Sequence, residues 1–343
     1  MLGVEVALIG ATGTLGSEIL SALLAQPFPQ YQITVITRSK NPDIASHPRI
    51  TIKEGSYDDH AFLVAALTGQ DALVITLGFS VCHILQPLII RAACEAKVPY
   101  ILPCEFGSDT SNPRLISAIP VHSSKVDARK LVEELGTSTD GTRTSSWIGI
   151  INNAWFDWSL AGGWFGIDIK FRKVTLFDGD GIKTYTSTIH MSGLTVARLF
   201  ALPITVSGRN LTSSVTSNDS KPQRTLASFA NKMVYVANFR LSQLDIFQAV
   251  QRATHTTDAD WDVAHVPLAQ YIRDGSTKLD DGDNLGIMNL LYGNLFVKGV
   301  ADAYYLDGSM EEVGLNNDLL GLEDCENLDD VVRRVVEEVT EGK

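Results

Sequence analysis

Three glycines recur at every third position near the amino terminus, in the run Gly10-Ala11-Thr12-Gly13-Thr14-Leu15-Gly16. The apolar segment Val4–Ile9 precedes them and the helix-like segment Gly16–Leu24 follows. A strand-turn-helix of this kind can grip a pyrophosphate, because the unpaired N–H groups at a helix start point at the anion. Gly10 would permit the tight bend, Gly13 the approach of phosphate to the backbone, and Gly16 the packing of helix on strand. Glycine-rich turns also occur where nothing binds; the strand before this one and the helix after it give it weight. Its spacing is G-x-x-G-x-x-G, not the commoner G-x-G-x-x-G.

The second strand-like run ends in Thr37-Arg38-Ser39-Lys40, with no Asp or Glu to hold a ribose hydroxyl. A carboxylate there would repel a 2′-phosphate, whereas Arg38, with Ser39 and Lys40, offers it charge-assisted donors. The expected cofactor is therefore NADP(H), the plain alternative being a solvated basic turn. At the end of the fourth strand-like run, Thr76, Gly78 and Phe79 fall where doubly wound folds bind ligands, outside the carboxyl edge of the sheet.

Moving hydride to a carbonyl, imine or quinone-methide-like carbon needs a proton source, or a positive charge beside the developing anion. The segment Val121-His122-Ser123-Ser124-Lys125-Val126-Asp127-Ala128-Arg129 puts Lys125 and Arg129 on one helical face. By spacing alone these two read as surface cations. His122 titrates near neutrality without special help and is a competing acid. Asn152 and Asn153 close the sixth strand-like run at the height expected of a nicotinamide, Asn152 as a cofactor contact and Asn153 as a substrate contact. The stretch Trp155–Gly166 is rich in Trp, Phe and Gly, and its Trp155, Phe156, Trp158 and Trp164 are candidate pocket walls. Plain core packing accounts for any one of them as well. His190 is a weaker pocket candidate.

Alternating strand-like and helical periods must position these groups. Strands are expected at Val4–Ile9, Ile33–Thr37, Arg49–Lys53, Ala72–Leu77, Tyr100–Pro103 and Trp147–Ile151, with helices at Gly16–Leu24, Asp59–Leu67, Leu85–Lys97 and Val121–Leu135. That order predicts an α/β fold, a doubly wound Rossmann-type parallel sheet, joined to a smaller α+β substrate-binding region. Residues 1–154 form the expected cofactor domain and 155–343 the substrate region, with segments around 185–240 returning to the sheet. Beyond it, strands are expected at Lys173–Phe177 and Arg209–Val215, and helices at Gly193–Ala201, Thr225–Asn231, Leu244–Thr254, Thr277–Asp302 (with a glycine break) and Leu328–Val339.

The chain has 343 residues, is 45% hydrophobic and carries a formal net charge of -12 without a basic cluster. Such a chain buries a substantial core and lacks the concentrated positive face that nucleic acid requires. No apolar run approaches the roughly 20 residues that span a bilayer, and no basic segment precedes the first strand, so a cytoplasmic protein without a membrane partner is expected. Cys82, Cys94, Cys104 and Cys325 show no metal spacing and read as reduced thiols; no metal is expected. The sequons at Asn210 and Asn218 read as chance matches. The oligomeric state, including a homodimer, stays open.

In short-chain reductases a Tyr stands four residues before the Lys of the catalytic helix; here that position is Val121, while Lys125 is retained. The segment Leu102-Pro103-Cys104-Glu105-Phe106-Gly107 is similar to a P-S-E-F-G motif. With Gly10–Gly16, Arg38, Lys125 and Arg129, it makes the sequence resemble the NmrA-like family, in its isoflavone reductase and phenylcoumaran benzylic ether reductase branch, fungal members included. The resemblance extends to about Trp155 and is much weaker beyond. It implies an atypical short-chain, NADP-dependent oxidoreductase with Lys125 as general acid/base and Arg129 in contact with NADP. A lysine exchanges protons near neutrality when desolvation or a neighbouring cation disfavours its charged form. Two functions fit. One is an NADPH-dependent reductase of a small apolar or heterocyclic metabolite (carbonyl, cyclic imine or benzylic ether), acting in secondary metabolism. The other is a non-catalytic NADP(H)-sensing regulator acting through a protein partner; the missing Tyr motivates it, and it would have protein filling the space beside the nicotinamide.

Overall fold

The computed structural model describes residues 4–38, 44, 46–178, 181–203, 225–306, 309–323 and 325–342. Ser39, Lys40, the sequons and the expected strand Arg209–Val215 lie outside the described residues. The strands β1 (Val4–Ile9), β2 (Tyr31–Thr37), β3 (Ile50–Glu54), β4 (Ala72–Ile75), β5 (Tyr100–Leu102) and β6 (Ser146–Ile151) pair in parallel, in the spatial order β6-β5-β4-β1-β2-β3. β1 carries Val6 and Leu8 into one apolar layer and Ala7 and Ile9 into the other, the period of two that a sheet covered on both faces requires. Helix α1 (Thr14–Ala25) packs with helix Ile189–Phe200 on the first face. On the second lie α2 (His60–Leu67), α3 (Phe79–Glu95) and, beyond the short α4 (Pro113–Ala118), α5 (Ser123–Leu135). The chain order reverses between β1 and β4, so a crevice opens there at the carboxyl edge.

A seventh parallel strand, Lys232–Tyr235, extends the sheet beside β6. The helical reading of Thr225–Asn231 fails here: Leu226–Phe229 is one 3-10 turn leading into that strand. Asn231 sets its register. With φ +54° it turns the chain, its N–H donates to the Trp147 carbonyl at 2.7 Å, and its Oδ1 accepts from the Trp147 N–H at 3.0 Å. Pairing with a distant strand thus overrides a weak local helical preference. The expected helix Leu85–Lys97 begins six residues earlier, at Phe79, and runs through Pro87; Val121–Leu135 begins at Ser123, after a 3-10 turn at Pro120–His122.

Beyond β6 the chain forms two small three-stranded sheets and a separate apolar core around Phe156, Phe165, Phe247, Trp261 and Tyr292. In place of the one interrupted helix expected over Thr277–Asp302 there are two, Leu268–Asp280 and Gly286–Asn294, packed against each other across the break. No helix among the described residues is long and apolar enough to cross a membrane.

Asn231→Ala is expected to cost about 1–3 kcal/mol, because it strips a buried N–H of its acceptor and leaves Ala in the left-handed region. A urea-unfolding midpoint equal to that of the unaltered protein would show that Asn231 does not hold the seventh strand.

Candidate functional site

At the crevice Gly10 has φ +88°, and a Cβ on it would sit 2.4 Å from the Thr76 carbonyl oxygen. A Cβ on Gly16 would sit 2.0 Å from the Gly10 carbonyl oxygen. Only glycine fits either place, and the Ala11–Thr12 bend between them delivers the chain to the start of α1. Gly13 caps that helix without a side-chain hydrogen bond, and no acidic residue occupies its first turn. The first-turn N–H groups therefore remain available to an anion, as a pyrophosphate requires. Gly13, Thr14, Leu15, Thr76, Gly78 and Phe79 line one cleft of about 470 Å³. Arg38, exposed just past β2, lies 5.9 Å from the centroid of the Tyr57 ring.

A second, apolar chamber of about 320 Å³ adjoins the cleft, walled by Trp155, Trp158, Tyr292 and aliphatic residues of the helix Gly286–Asn294. The two cavities share Phe79, Phe106, Lys125, Trp155 and Trp158. Lys125, in the first turn of α5, thus stands where cleft and chamber meet. Its Nζ donates to the Glu105 carbonyl oxygen at 2.5 Å. The loop carrying Glu105 is bent at Phe106, with φ +27°, and the Gly107 carbonyl accepts the N–H groups of Asn152 and Asn153.

Several expected residues take other places. Arg129 is 8% exposed; its guanidinium pairs with the Glu105 carboxylate and donates to Thr110, while Trp147 covers it at 5.3 Å. It lines a different hollow and not the cleft, so the structure does not bring this expected cofactor contact to the glycine turn. The shared helical face holds for both cations, but Arg129 is spent on Glu105. Asn152 is fully buried and reaches neither cavity: its Nδ2 donates to Ser192 Oγ at 2.6 Å and its Oδ1 has no partner. Asn153 lines the chamber, yet its amide is committed to Ser108, Thr184, Tyr185 and Ala301. Phe156 is core, packed on Phe165 and Phe239, because it opens a helix whose inner face it occupies. His190 is exposed and pairs with Glu18 on α1, outside both cavities. Trp164 stacks on Trp158 and Tyr292 behind the chamber wall.

His122 also lines the chamber, but not as an acid: burial, and then the neighbouring Lys125 charge, lower its pKa to about 3. It is a neutral imidazole at pH 7. The chamber's far wall, Ile287, Met288, Leu291 and Leu295, went unread in the sequence; its only signal there was one apolar helical stripe. Cys82 and Cys104 line the cleft as free thiols, and a hydrogen bond with Cys104 lowers the Cys82 pKa. Because folded His122 stays unprotonated until about pH 3 while the unfolded imidazole takes a proton below about 6.5, stability is fully present above that value. It is lost as the pH falls, at up to about 1.4 kcal/mol per pH unit from this group. His122→Phe is expected to flatten the decline between pH 6.5 and 4 in urea titrations; an unaltered slope would refute the assignment.

Residues 4–153 match the NmrA-like family. Over nearly its whole length the chain is 24% identical to the oxidoreductase aprR of Aspergillus flavus, covering 97% of this chain and 99% of that one. It is 32% identical to phenylcoumaran benzylic ether reductase IRL1 of Ginkgo biloba, across 38% of this chain and 45% of the relative, less than half of that protein. Among solved structures, isoflavone reductase superposes with a TM-score of 0.70 at 17% identity, covering 97% of this chain and 99% of that one. The binary complex of leucoanthocyanidin reductase with NADPH from Vitis vinifera superposes at 0.69 and 14% identity, with the same coverage. The fold is thus that of the isoflavone reductase type over the whole chain, and residues 4–153 are similar to the NmrA-like family.

Proposed function

We propose that the protein is an NADPH-dependent oxidoreductase that reduces a small apolar or heterocyclic metabolite of secondary metabolism in the cytoplasm. The observation that carries this reading is the place of Lys125, in the wall common to the phosphate-turn cleft and the apolar chamber. The relatives and solved neighbours named above are an oxidoreductase and reductases, one of the latter bound to NADPH, which supports the same reading. Residues 1–154 hold the cofactor and 155–343 shape the substrate side.

When bound, NADPH supplies the hydride. The chain's own residues do the rest. The glycine turn and the start of α1 hold the pyrophosphate, and Arg38 neutralises the 2′-phosphate. Phe79, Phe106, Trp155 and Trp158 exclude water around the reacting carbon, which strengthens every charge interaction there. Lys125 gives a proton from Nζ to the oxygen or nitrogen on which negative charge develops, and regains one from solvent. The Glu105 carbonyl that holds Nζ leaves its other protons free to turn toward substrate. An open chamber beside Lys125 also counts against a sensor, in which protein would fill that space.

NADPH absorbance followed against aryl ketones, cyclic imines and benzylic ethers tests the activity. On an accepted substrate Lys125→Met is expected to lower kcat about 10²–10⁴-fold; full activity in that variant would remove Lys125 as proton source. Arg38→Ala is expected to weaken NADPH binding by about 1.5–3 kcal/mol and to leave NADH binding nearly unchanged. Equal losses for both would mean that Arg38 never meets the 2′-phosphate.

A further inference from the structure

The cleft wall brings two thiols together from different elements. Cys104 follows β5, whose Leu102 pairs with Val74 of β4, and its sulfur lies over the end of that strand. There Sγ donates to the Ile75 carbonyl at 3.1 Å and accepts from the Leu77 N–H at 3.3 Å. Helix α3 starts two residues after Leu77 and turns one face onto Cys104, where Gln86 Oε1 accepts the Cys104 N–H at 2.7 Å. Cys82, one helical turn before Gln86, shares that face, and its thiol is hydrogen-bonded to that of Cys104. Both cysteines are half-buried and line the cleft, so the pair faces space that a small oxidant can enter.

The two thiols differ in acidity. The hydrogen bond with Cys104 lowers the Cys82 pKa; burial opposes this and the Lys125 charge adds to it. Cys82 also lies near the positive end of α3, whose first turn holds no acidic residue. Burial holds the Cys104 thiol well above its ordinary range, and burial likewise pushes Cys94 up to about 11. One member of the pair is thus disposed to ionise, with a protonated partner beside it, as a reactive cysteine and its resolving cysteine require.

We infer that Cys82 and Cys104 form a modification site for hydroperoxides, closing to a disulfide that opposes cofactor binding in the cleft. The effect on the cofactor rests on the reading of the cleft as the NADP(H) side of the site. In the first step the Cys82 thiolate attacks a peroxide oxygen: an S–O bond forms and the O–O bond breaks. The sulfur gives up two electrons, and the peroxide is reduced to water or an alcohol, its leaving oxygen taking a proton from solvent. In the second step the Cys104 sulfur attacks the sulfenic sulfur of Cys82; an S–S bond forms, and the hydroxyl leaves as water with the Cys104 proton. Closure replaces a hydrogen-bond contact by a covalent bond. It draws the first turn of α3, with Gly78 and Phe79 that line the cleft, toward the end of β5. A small dithiol reverses the step by exchange, as for the transient disulfides of reducing compartments.

The test treats the full, reduced chain with hydrogen peroxide, removes the excess with catalase, and maps the product by mass spectrometry. Trypsin cuts after Arg91 and Lys97, which puts Cys82, Cys94 and Cys104 in three separate peptides. The peptides of Cys82 and Cys104 are expected to be joined, lighter by two hydrogen atoms than their sum, and to separate in dithiothreitol. Cys104→Ser should stop at a sulfenic acid on Cys82, trapped by dimedone, and Cys82→Ser should leave Cys104 unlabelled. Calorimetric titration of the joined form should show NADP⁺ affinity lowered about 5-fold or more and restored by dithiothreitol. Absence of the joined peptides, or dimedone on Cys104 in Cys82→Ser, would overturn the inference, as would equal NADP⁺ affinity of the joined and reduced forms. Failure of the reduced chain to take up NADP⁺ would instead overturn the reading of the cleft, and the control of cofactor with it, while the joined peptides by themselves uphold or remove the thiol pair.

Discussion

The junction of cleft and chamber at Lys125 depends on one buried ion pair, Arg129 with Glu105. Both side chains are almost wholly removed from water, and each is multiply bonded: Thr110 donates to the carboxylate and accepts from the guanidinium, and Trp147 lies against the cation. A charge buried so deeply is tolerable only when paired, and removing one partner from such a pair costs about 3–5 kcal/mol. The pair anchors Glu105 at the bend of a short loop, and the carbonyl of the same residue accepts a hydrogen bond from Lys125 Nζ. Gly107, two residues on, ties that loop to the end of β6 through the N–H groups of Asn152 and Asn153. The cation one turn after Lys125 therefore serves the site from behind, by holding the loop against which the lysine is set.

Around this brace the chain divides its labour by the kind of surface each part can make. A parallel sheet covered on both faces leaves only its carboxyl edge for binding, and there the glycine turn presents backbone N–H groups and little side chain. The opposite wall comes from a helix near residue 290 and from the aromatic stretch after β6, which supply area and dryness but few polar atoms. A lysine between a polar cleft and a dry chamber can meet charge on one side and a reacting carbon on the other. Fold alone does not imply function, and these contacts, more than the sheet, carry the functional reading.

Much of the cofactor half was legible because its signals are local. The glycine spacing, the apolar run before it and the alternation of strand and helix periods depend on neighbours within a few residues, and all six expected strands of the sheet formed, with ends shifted by two residues at most. The seventh strand was missed because Lys232–Tyr235 is four residues long and owes its state to β6, more than eighty residues earlier in the chain. Phe156 and Trp158 read alike as aromatic wall; the turn of their short helix buries the first and leaves the second at the chamber.

By itself the sequence determined the phosphate turn, the parallel α/β architecture and the presence of a lysine with a cation one helical turn later. Those follow from backbone geometry and from periods of two and 3.6 residues, which a linear string records. Only the tertiary structure decided that Lys125 faces the cavities while Arg129 is spent on Glu105, that His122 is buried and neutral, and that His190 points to solvent. Burial and charge pairing depend on groups brought together from distant parts of the chain, and in a low-dielectric interior those neighbours govern whether a titratable side chain is charged, paired or free.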